Sequence, residues 1–191
     1  MNQMDSRDYL FETERLRIRH WKDTDVEDAF VIYGDPLVQR TYLDDGRTVR
    51  DLAEMAQILG EKIASRVDWK PGRGNWAIVH KSLNKVIGSV SFDRVPVADN
   101  YQSPELEVTW ALSKSFWGQG YATEAARGAI SYGFSKDPSV TRVIARCRPS
   151  HKASRSVAER IGMHFLGLST QFGGITLAIY EIASTALSII A

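Results

Sequence analysis

Cysteine is almost absent from the sequence: Cys147 is the one thiol in 191 residues. A single cysteine excludes an internal disulfide and a two-cysteine metal site. It lies in a segment of alternating apolar residues, 140–147, which favours a buried strand thiol over a nucleophile. The histidines show no metal-ligand spacing either, so we expect no bound metal. They are His20, His80, His151 and His164.

An excess of either charge is also missing, because 24 Lys and Arg balance 23 Asp and Glu to a net charge of +1. The basic residues are scattered, so we expect no nucleic-acid partner. No apolar run is long enough to span a bilayer, and Asp5, Arg7 and Asp8 interrupt any signal-peptide core. We therefore expect a cytoplasmic protein with no membrane partner. The length predicts one domain over 1–191.

What the sequence does contain is an alternation of strand and helix patterns. Segment 13–21 (TERLRIRHW) alternates apolar and basic residues, as an exposed first strand does. The predicted strands are 13–21, 75–80, 86–92, 105–112, 140–147, 164–169 and 175–182. The predicted helices are 23–33, a short one from Asp35, 48–67, 122–134 and 153–161, the last capped by Gly162. This mixed order predicts an α/β sheet with helices on both faces.

The stretch 116–125 (FWGQGYATEA) carries the strongest functional signal. It joins a strand pattern to a helix pattern through a turn that contains Gly118 and Gly120. Glycines let backbone N–H groups converge, and a helix N-terminus adds unpaired N–H groups and partial positive charge. This arrangement favours a bound phosphate or pyrophosphate. A tight strand-to-helix turn with no ligand is the alternative.

Together with this turn, several separated segments resemble the GNAT acetyltransferase superfamily, and more narrowly its RimJ/RimL-type branch of ribosomal-protein N-terminal acetyltransferases. The segments are TERLRIRHW at 13–21, NWAI at 75–78, VIG at 86–88, WGQGYATEAA at 117–126 and HKASRSVAERIG at 151–162. The resemblance implies a single-domain α/β fold with a core over 11–182 and a mixed central sheet of about six to seven strands. It also implies acetyl-CoA as co-substrate and a primary amine as acceptor.

The same resemblance assigns the cofactor-binding residues. The family's acyl-CoA motif, Gln/Arg-x-x-Gly-x-Gly/Ala, has Gly120 and Ala122 at its small positions here, and Trp117 where Gln or Arg is usual. Main-chain groups near Leu112 would run alongside the pantetheine arm like a neighbouring strand. Backbone N–H groups of six residues would hold the CoA pyrophosphate: Gly118, Gln119, Gly120, Tyr121, Ala122 and Thr123.

Three side chains are candidates for the chemistry of acetyl transfer. Glu107, on the strand before the glycine turn, fits a base that acts directly or through water; a solvated glutamate or a surface ion pair is the alternative. Ser154 is the favoured donor to the departing thiolate, unless it bonds backbone N–H groups at a helix start. His151 is its rival, unless it is an ordinary loop histidine. Many family members have Asn at the position of His151.

Two further expectations concern the reaction. By resemblance, the backbone near Trp110 and Ala111 would donate to the thioester oxygen. Many family members carry a Tyr that protonates the thiolate at the position of Ala158, which cannot donate a proton. Direct attack of the amine fits better than an acyl-enzyme, because no motif activates the lone Cys147.

The favoured acceptor is a protein or peptide N-terminal α-amine. An α-amine with a pKa of about 7.7–8.0 needs a weaker base than a lysine amine at about 10.4. The alternatives are a small-amine acetyltransferase, acting on a polyamine, an antibiotic or an amino acid analogue, and a non-catalytic acyl-CoA sensor. A monomer and a homodimer are both compatible with the sequence.

Overall fold

Eight strands form one mixed sheet in the computed structural model, which describes residues 9–39, 48–68, 70–94, 105–172 and 174–189. The strands are β1 Phe11–Glu12, β2 Leu16–Arg19, β3 Gly74–His80, β4 Lys85–Arg94, β5 Leu106–Leu112, β6 Arg142–Cys147, β7 His164–Ser169 and β8 Leu177–Ala183. In space their order is β1-β2-β3-β4-β5-β6-β8-β7. The described α-helices are α1 Val26–Tyr33, α2 Pro36–Gln39, α3 Leu52–Ala64, α4 Tyr121–Lys136 and α5 Lys152–Ile161.

The predicted α/β order is confirmed, but the sheet has more strands than the six to seven expected. The addition is β1, whose Phe11 lies opposite Ile18 of β2. A strand of two residues is too short to show an alternating pattern in the sequence. The prediction of an exposed first strand is wrong, because Leu16 and Ile18 of β2 are fully buried in the same apolar cluster as α4.

Helices cover the sheet on both faces, as predicted. On one face, α4 contributes Ala125 and Ala129 to the larger apolar cluster, at the spacing of one helical stripe. On the other face, α1 and α3 contribute Ile32, Met55 and Leu59 to a second cluster. The sheet is therefore the middle layer, and its strand ends are the accessible places for a site.

The sheet is interrupted between β5 and β6. These strands are parallel, and within the described ranges they are bridged at one pair, Glu107 with Ile144. A gap opens toward their carboxyl ends, Leu112 and Cys147. Since α4 is the crossover from β5 to β6, its N-terminus lies at the mouth of this gap. Open α/β sheets bind ligands at the carboxyl ends of their strands, where such a crossover begins.

Candidate active site

A cavity of about 430 Å³ lies at the carboxyl end of β5. The end of β5, the glycine turn and the first turns of α5 line it. Most of the predicted site residues are in this lining: Leu112, Trp117, Gly118, Gly120, Tyr121, Ala122, Thr123, His151 and Ser154. Gln119 lines an adjoining groove instead. Glu107 lines neither, so the structure separates the candidate base from the other predicted residues.

The turn before α4 presents free backbone donors. Gly118 and Gly120 have φ angles of 73° and 84°, in the left-handed region that residues with a side chain rarely adopt. The N–H of Glu124 donates to the carbonyl oxygen of Gly120 at 3.0 Å and so begins the helical ladder. The N–H groups of 121–123 precede that bond and have no helical partner. Together with the helix dipole they suit an anion such as the pyrophosphate of CoA.

Trp117 ties the turn to the end of β5. Its indole N–H donates to the carbonyl oxygen of Leu112 at 2.7 Å, while 42% of the residue stays exposed at the cavity. The bond fixes the turn against the strand that precedes it. It also engages the Leu112 carbonyl, one of the groups expected beside the pantetheine arm.

The pairing of β5 with β4 determines which backbone groups of β5 face the gap. The N–H of Ser113 donates to the carbonyl of Ile87 at 2.9 Å, so odd-numbered residues of this strand direct their backbone groups toward β4. The even-numbered Trp110 and Leu112 direct theirs toward the gap. Of the two donors expected for the thioester oxygen, this alternation favours Trp110 over Ala111.

The side chains of Tyr121 and Gln119 make hydrogen bonds within the protein, which leaves their backbone groups as the ones expected to contact CoA. The Tyr121 hydroxyl lies 2.9 Å from Nε2 of His80, and the side chain is buried. The Gln119 amide nitrogen donates to the carbonyl of Ser115 at 3.0 Å. Both bonds help to hold the turn in place.

A basic groove adjoins the cavity on the other side of the turn. Arg15, Arg127 and Arg160 line it together with Glu14 and Glu124. Arg160 lines the cavity as well, so the two spaces share a wall. No local motif marks these arginines, because they come from the bend before β2, from α4 and from α5. The sequence signal that exists is weak: Arg127 and Glu124 are three residues apart on one helix face.

Glu107 forms an ion pair, but a buried one. Its two carboxylate oxygens accept from Nε and Nη2 of Arg146 at 2.9 and 2.8 Å. Burial raises the pKa of Glu107, and the hydrogen bonds and charge of Arg146 act against that rise. The guanidinium carbon of Arg146 lies 4.6 Å from the ring centre of Phe172. A base at this position reaches the cavity through water or not at all.

His151 and Ser154 both lie at the start of α5, on the wall of the cavity. His151 is the N-cap residue, and its side chain makes no cap hydrogen bond. Its Nδ1 is buried without a hydrogen-bond partner in the described part of the chain. Burial lowers the pKa of His151, so the ring is neutral at neutral pH. A neutral imidazole with an unused nitrogen beside a cavity suits a polar group of a bound ligand.

Cys147 is buried at the end of β6, as the sequence predicts. Burial raises the pKa of its thiol to about 11. The thiolate fraction at neutral pH is therefore very small, which argues against an acyl-enzyme on this residue. In the described ranges, no group of three His, Cys, Asp or Glu side chains is placed to hold a metal ion. The described helices include none with the length and apolarity needed to cross a bilayer.

Comparison with known families finds relatives over most of the chain. Residues 15–164 match the family model described as Acetyltransferase (GNAT) domain. The uncharacterized protein YkkB of Bacillus subtilis (strain 168) is 31% identical over 156 residues, which cover 80% of this chain and 84% of YkkB. The match includes the glycine turn and the first turns of α5.

Solved structures share the fold. RimL, a ribosomal L7/L12 alpha-N-protein acetyltransferase in complex with coenzyme A, has a TM-score of 0.71 at 18% identity, covering 92% of this chain and 97% of that protein. The microcin C7 self-immunity acetyltransferase MccE, in complex with acetyl-CoA and AMP, has a TM-score of 0.71 at 17% identity, covering 89% of this chain and 93% of that protein. At these identities the likeness concerns the fold alone.

Proposed function

The chain belongs to the GNAT family of acetyl-CoA-dependent N-acetyltransferases, and we propose that its acceptor is a protein or peptide N-terminal α-amine. Family membership sets aside the non-catalytic acyl-CoA sensor. We place the chain in the RimJ/RimL-type branch, on the opening segment 13–21 and the likeness in fold to RimL. We also infer one acyltransferase domain over 1–191, since helices from both halves of the chain cover one sheet.

The observation that carries the acceptor proposal is the weak provision for proton removal at the cavity. No carboxylate belongs to the lining formed by the described residues, whereas Lys152 and Arg160 do. Positive charge disfavours the protonated form of an amine bound nearby. An α-amine with a pKa of about 7.7–8.0 then needs only a small lowering of its pKa to be neutral at neutral pH, whereas a lysine amine at about 10.4 needs a large one. The site therefore suits an acceptor that needs little help to lose its proton.

The reaction needs one bond made and one broken. The neutral amine nitrogen attacks the thioester carbonyl carbon, the new C–N bond forms, the C–S bond breaks, and CoA leaves as a thiolate. The Trp110 N–H, directed toward the gap, supports the charge that develops on the carbonyl oxygen. The amine proton passes through water to Glu107, and Ser154 or His151 donates toward the thiolate.

A small amine is the second candidate acceptor. The specific support is the fold likeness to MccE, an acetyltransferase of microcin C7 self-immunity. The proton-removal argument applies equally to any small amine whose pKa lies near that of an α-amine. The two candidates differ in whether the acceptor amine belongs to a polypeptide or to a small molecule.

The deciding experiment compares acceptors that differ at one amine. One peptide has a free N-terminus and no lysine. Its matched partner has a blocked N-terminus and one internal lysine. Spermidine and an amino acid amide represent the small amines. Thiol release from acetyl-CoA is followed, and the product is located by mass spectrometry. We expect release with the free N-terminus and acetylation of that residue. Faster release with the lysine peptide or a small amine would overturn the acceptor proposal.

A further inference from the structure

We propose that Arg15 is a positioning residue for the CoA pyrophosphate: it holds the turn 118–120 in its anion-binding form and compensates the charge of Glu124. The inference rests on the proposed use of this turn for CoA. Arg15 lies immediately before β2 and reaches a turn that follows it by 104 residues. It makes three contacts, one with the turn itself and two with the first helical turn of α4.

The first contact is with Glu124, whose negative charge lies in the first turn of α4. One carboxylate oxygen accepts from the Thr13 hydroxyl at 2.6 Å and from the Arg15 backbone N–H at 2.8 Å. The other accepts from Nε of Arg15 at 2.7 Å, and Nη2 is also 2.7 Å away. Burial alone would raise the pKa of Glu124, but these hydrogen bonds outweigh it and hold that pKa below its ordinary value.

An ionised carboxylate in this position opposes anion binding. The N–H groups of 121–123 and the helix dipole attract a pyrophosphate, while the Glu124 charge repels it at short range. The Arg15 guanidinium on Glu124 cancels that repulsion. The pair therefore leaves the turn with the net positive potential that the cofactor needs.

The second contact fixes the direction of a peptide group. Nη1 of Arg15 donates to the carbonyl oxygen of Gln119 at 3.0 Å. In a trans peptide the carbonyl and the next N–H point in opposite directions, so the N–H of Gly120 points away from Arg15. Gly120 lines the cavity. Arg15 thus turns one of the pyrophosphate donors outward by holding the carbonyl behind it.

The third contact explains why the residue is an arginine. The guanidinium carbon lies 4.3 Å from the ring centre of Tyr121, while its nitrogens bond both Glu124 and Gln119. A planar fork makes these contacts together, whereas a lysine ammonium on its flexible stem cannot. With 40% of its side chain exposed, the Arg15 pair contributes little to stability by itself, which favours a role in binding.

The test measures CoA affinity by calorimetry on the full chain, with thermal unfolding of every variant. Arg15→Gln is expected to weaken CoA binding by about tenfold or more, the loss typical of charge-assisted hydrogen bonds. Arg17→Gln is the matched control, because Arg17 lies close to Arg15 in the chain, within β2, and pairs with Glu12 at 3.1 Å, away from the turn. Its CoA affinity is expected to equal that of the wild type.

A second substitution separates positioning from simple loss of structure. Glu124→Gln added to Arg15→Gln is expected to bind CoA more tightly than Arg15→Gln alone, since the uncompensated charge is gone. Arg15→Lys, which keeps the charge but not the fork, is expected to fall between wild type and Arg15→Gln. Wild-type affinity in Arg15→Gln or Arg15→Lys, or a double variant that binds no better than Arg15→Gln, would overturn the inference. Absence of CoA binding by the wild type would instead overturn the proposed function.

Discussion

Arg146 holds both carboxylate oxygens of Glu107 with one guanidinium group, at 2.9 and 2.8 Å. Their side chains are 7% and 4% exposed. Glu107 is also the residue through which β5 is bridged to β6, opposite Ile144. The candidate base therefore sits at the point from which the two strands diverge, beneath the cavity rather than in its wall.

Replacing Glu107 by Gln separates catalysis from packing. We expect kcat/KM to fall by about 10²-fold if the carboxylate takes the amine proton. We also expect the free energy of unfolding to fall by about 3 kcal/mol, because Arg146 is left buried without a counter-charge. Glu105→Gln is the control: Glu105 pairs with the more exposed Arg142 at 2.7 Å, so both quantities should stay near wild type. Thiol release and urea unfolding measure the two effects.

A paired substitution decides between the two roles of Glu107. Changing Glu107 to Leu and Arg146 to Met together removes both charges, and such replacements of buried ion pairs often restore stability. We expect the double variant to regain stability over Glu107→Gln without regaining activity. Recovery of activity along with stability would show that Glu107 is structural.

The role of the glycine with positive φ at the start of α4 can be tested by comparison with a glycine of positive φ at the end of α5. Gly120 has a φ of 84° at the cavity, and Gly162 has a φ of 99° after α5. We expect each Ala substitution to lower the free energy of unfolding by about 1 kcal/mol, because alanine is strained at positive φ. The KM for acetyl-CoA should rise only in Gly120→Ala, measured by steady-state thiol release. An equal rise in Gly162→Ala would mean that the effect is global.

His151 predicts how stability depends on pH. Burial lowers its pKa from the ordinary value of 6.5, so below that pH the unfolded chain binds more protons than the native one. The free energy of unfolding therefore has its full value above about pH 6.5, and it falls as the pH drops from there through the lowered pKa of the native state. Burial lowers the pKa of His20 too, in the same direction. Urea unfolding from about pH 7.5 to 5 should show a shallower fall in His151→Asn than in wild type.

The thiol provides a separate check on the direct-attack mechanism. With a pKa raised to about 11 and the side chain buried, Cys147 should react with a thiol reagent only slowly at neutral pH. In denaturant the same residue should react rapidly and completely. Cys147→Ala should keep full activity, with a modest loss of stability from the small cavity it leaves. Loss of activity with retained fold would reopen the acyl-enzyme route.

The parts of the site that the sequence indicated are those with local signals. Gly118 and Gly120 stand between a strand pattern and a helix pattern, and a turn at that place needs no distant residue to be recognised. The same holds for the start of α5, where His151 is the N-cap residue and Ser154 lies in the first turn of an amphipathic helix ended by Gly162. The element order followed from such patterns, and its fold class is confirmed.

What the sequence could not indicate depends on pairing between distant residues. Arg15 and Glu124 are 109 positions apart, and Glu107 and Arg146 are 39 apart, so neither partner could be chosen before the strand order was known. The burial of Glu107 could not be predicted for the same reason. The alternation of residues along its strand predicted which face of the sheet Glu107 is on, but not what covers that face. β1 escaped notice because its two residues carry no periodicity.

The boundary between β5 and β6, which has a single bridged pair, divides the strands by their order in the sequence as well as by their position in the sheet. β1 to β5 all precede α4, and β6 to β8 all follow it. In mechanical terms the molecule is two plates, of five and three strands. They are joined by one bridged backbone pair, by the ion pairs Glu107–Arg146 and Glu105–Arg142, and by α4. Thermal motion or pulling force should part the plates at this seam before it parts the strands within either one. A chain cut between Lys136 and Arg142 would leave every antiparallel strand pair intact, which makes this segment the natural place to divide the protein for reassembly from fragments.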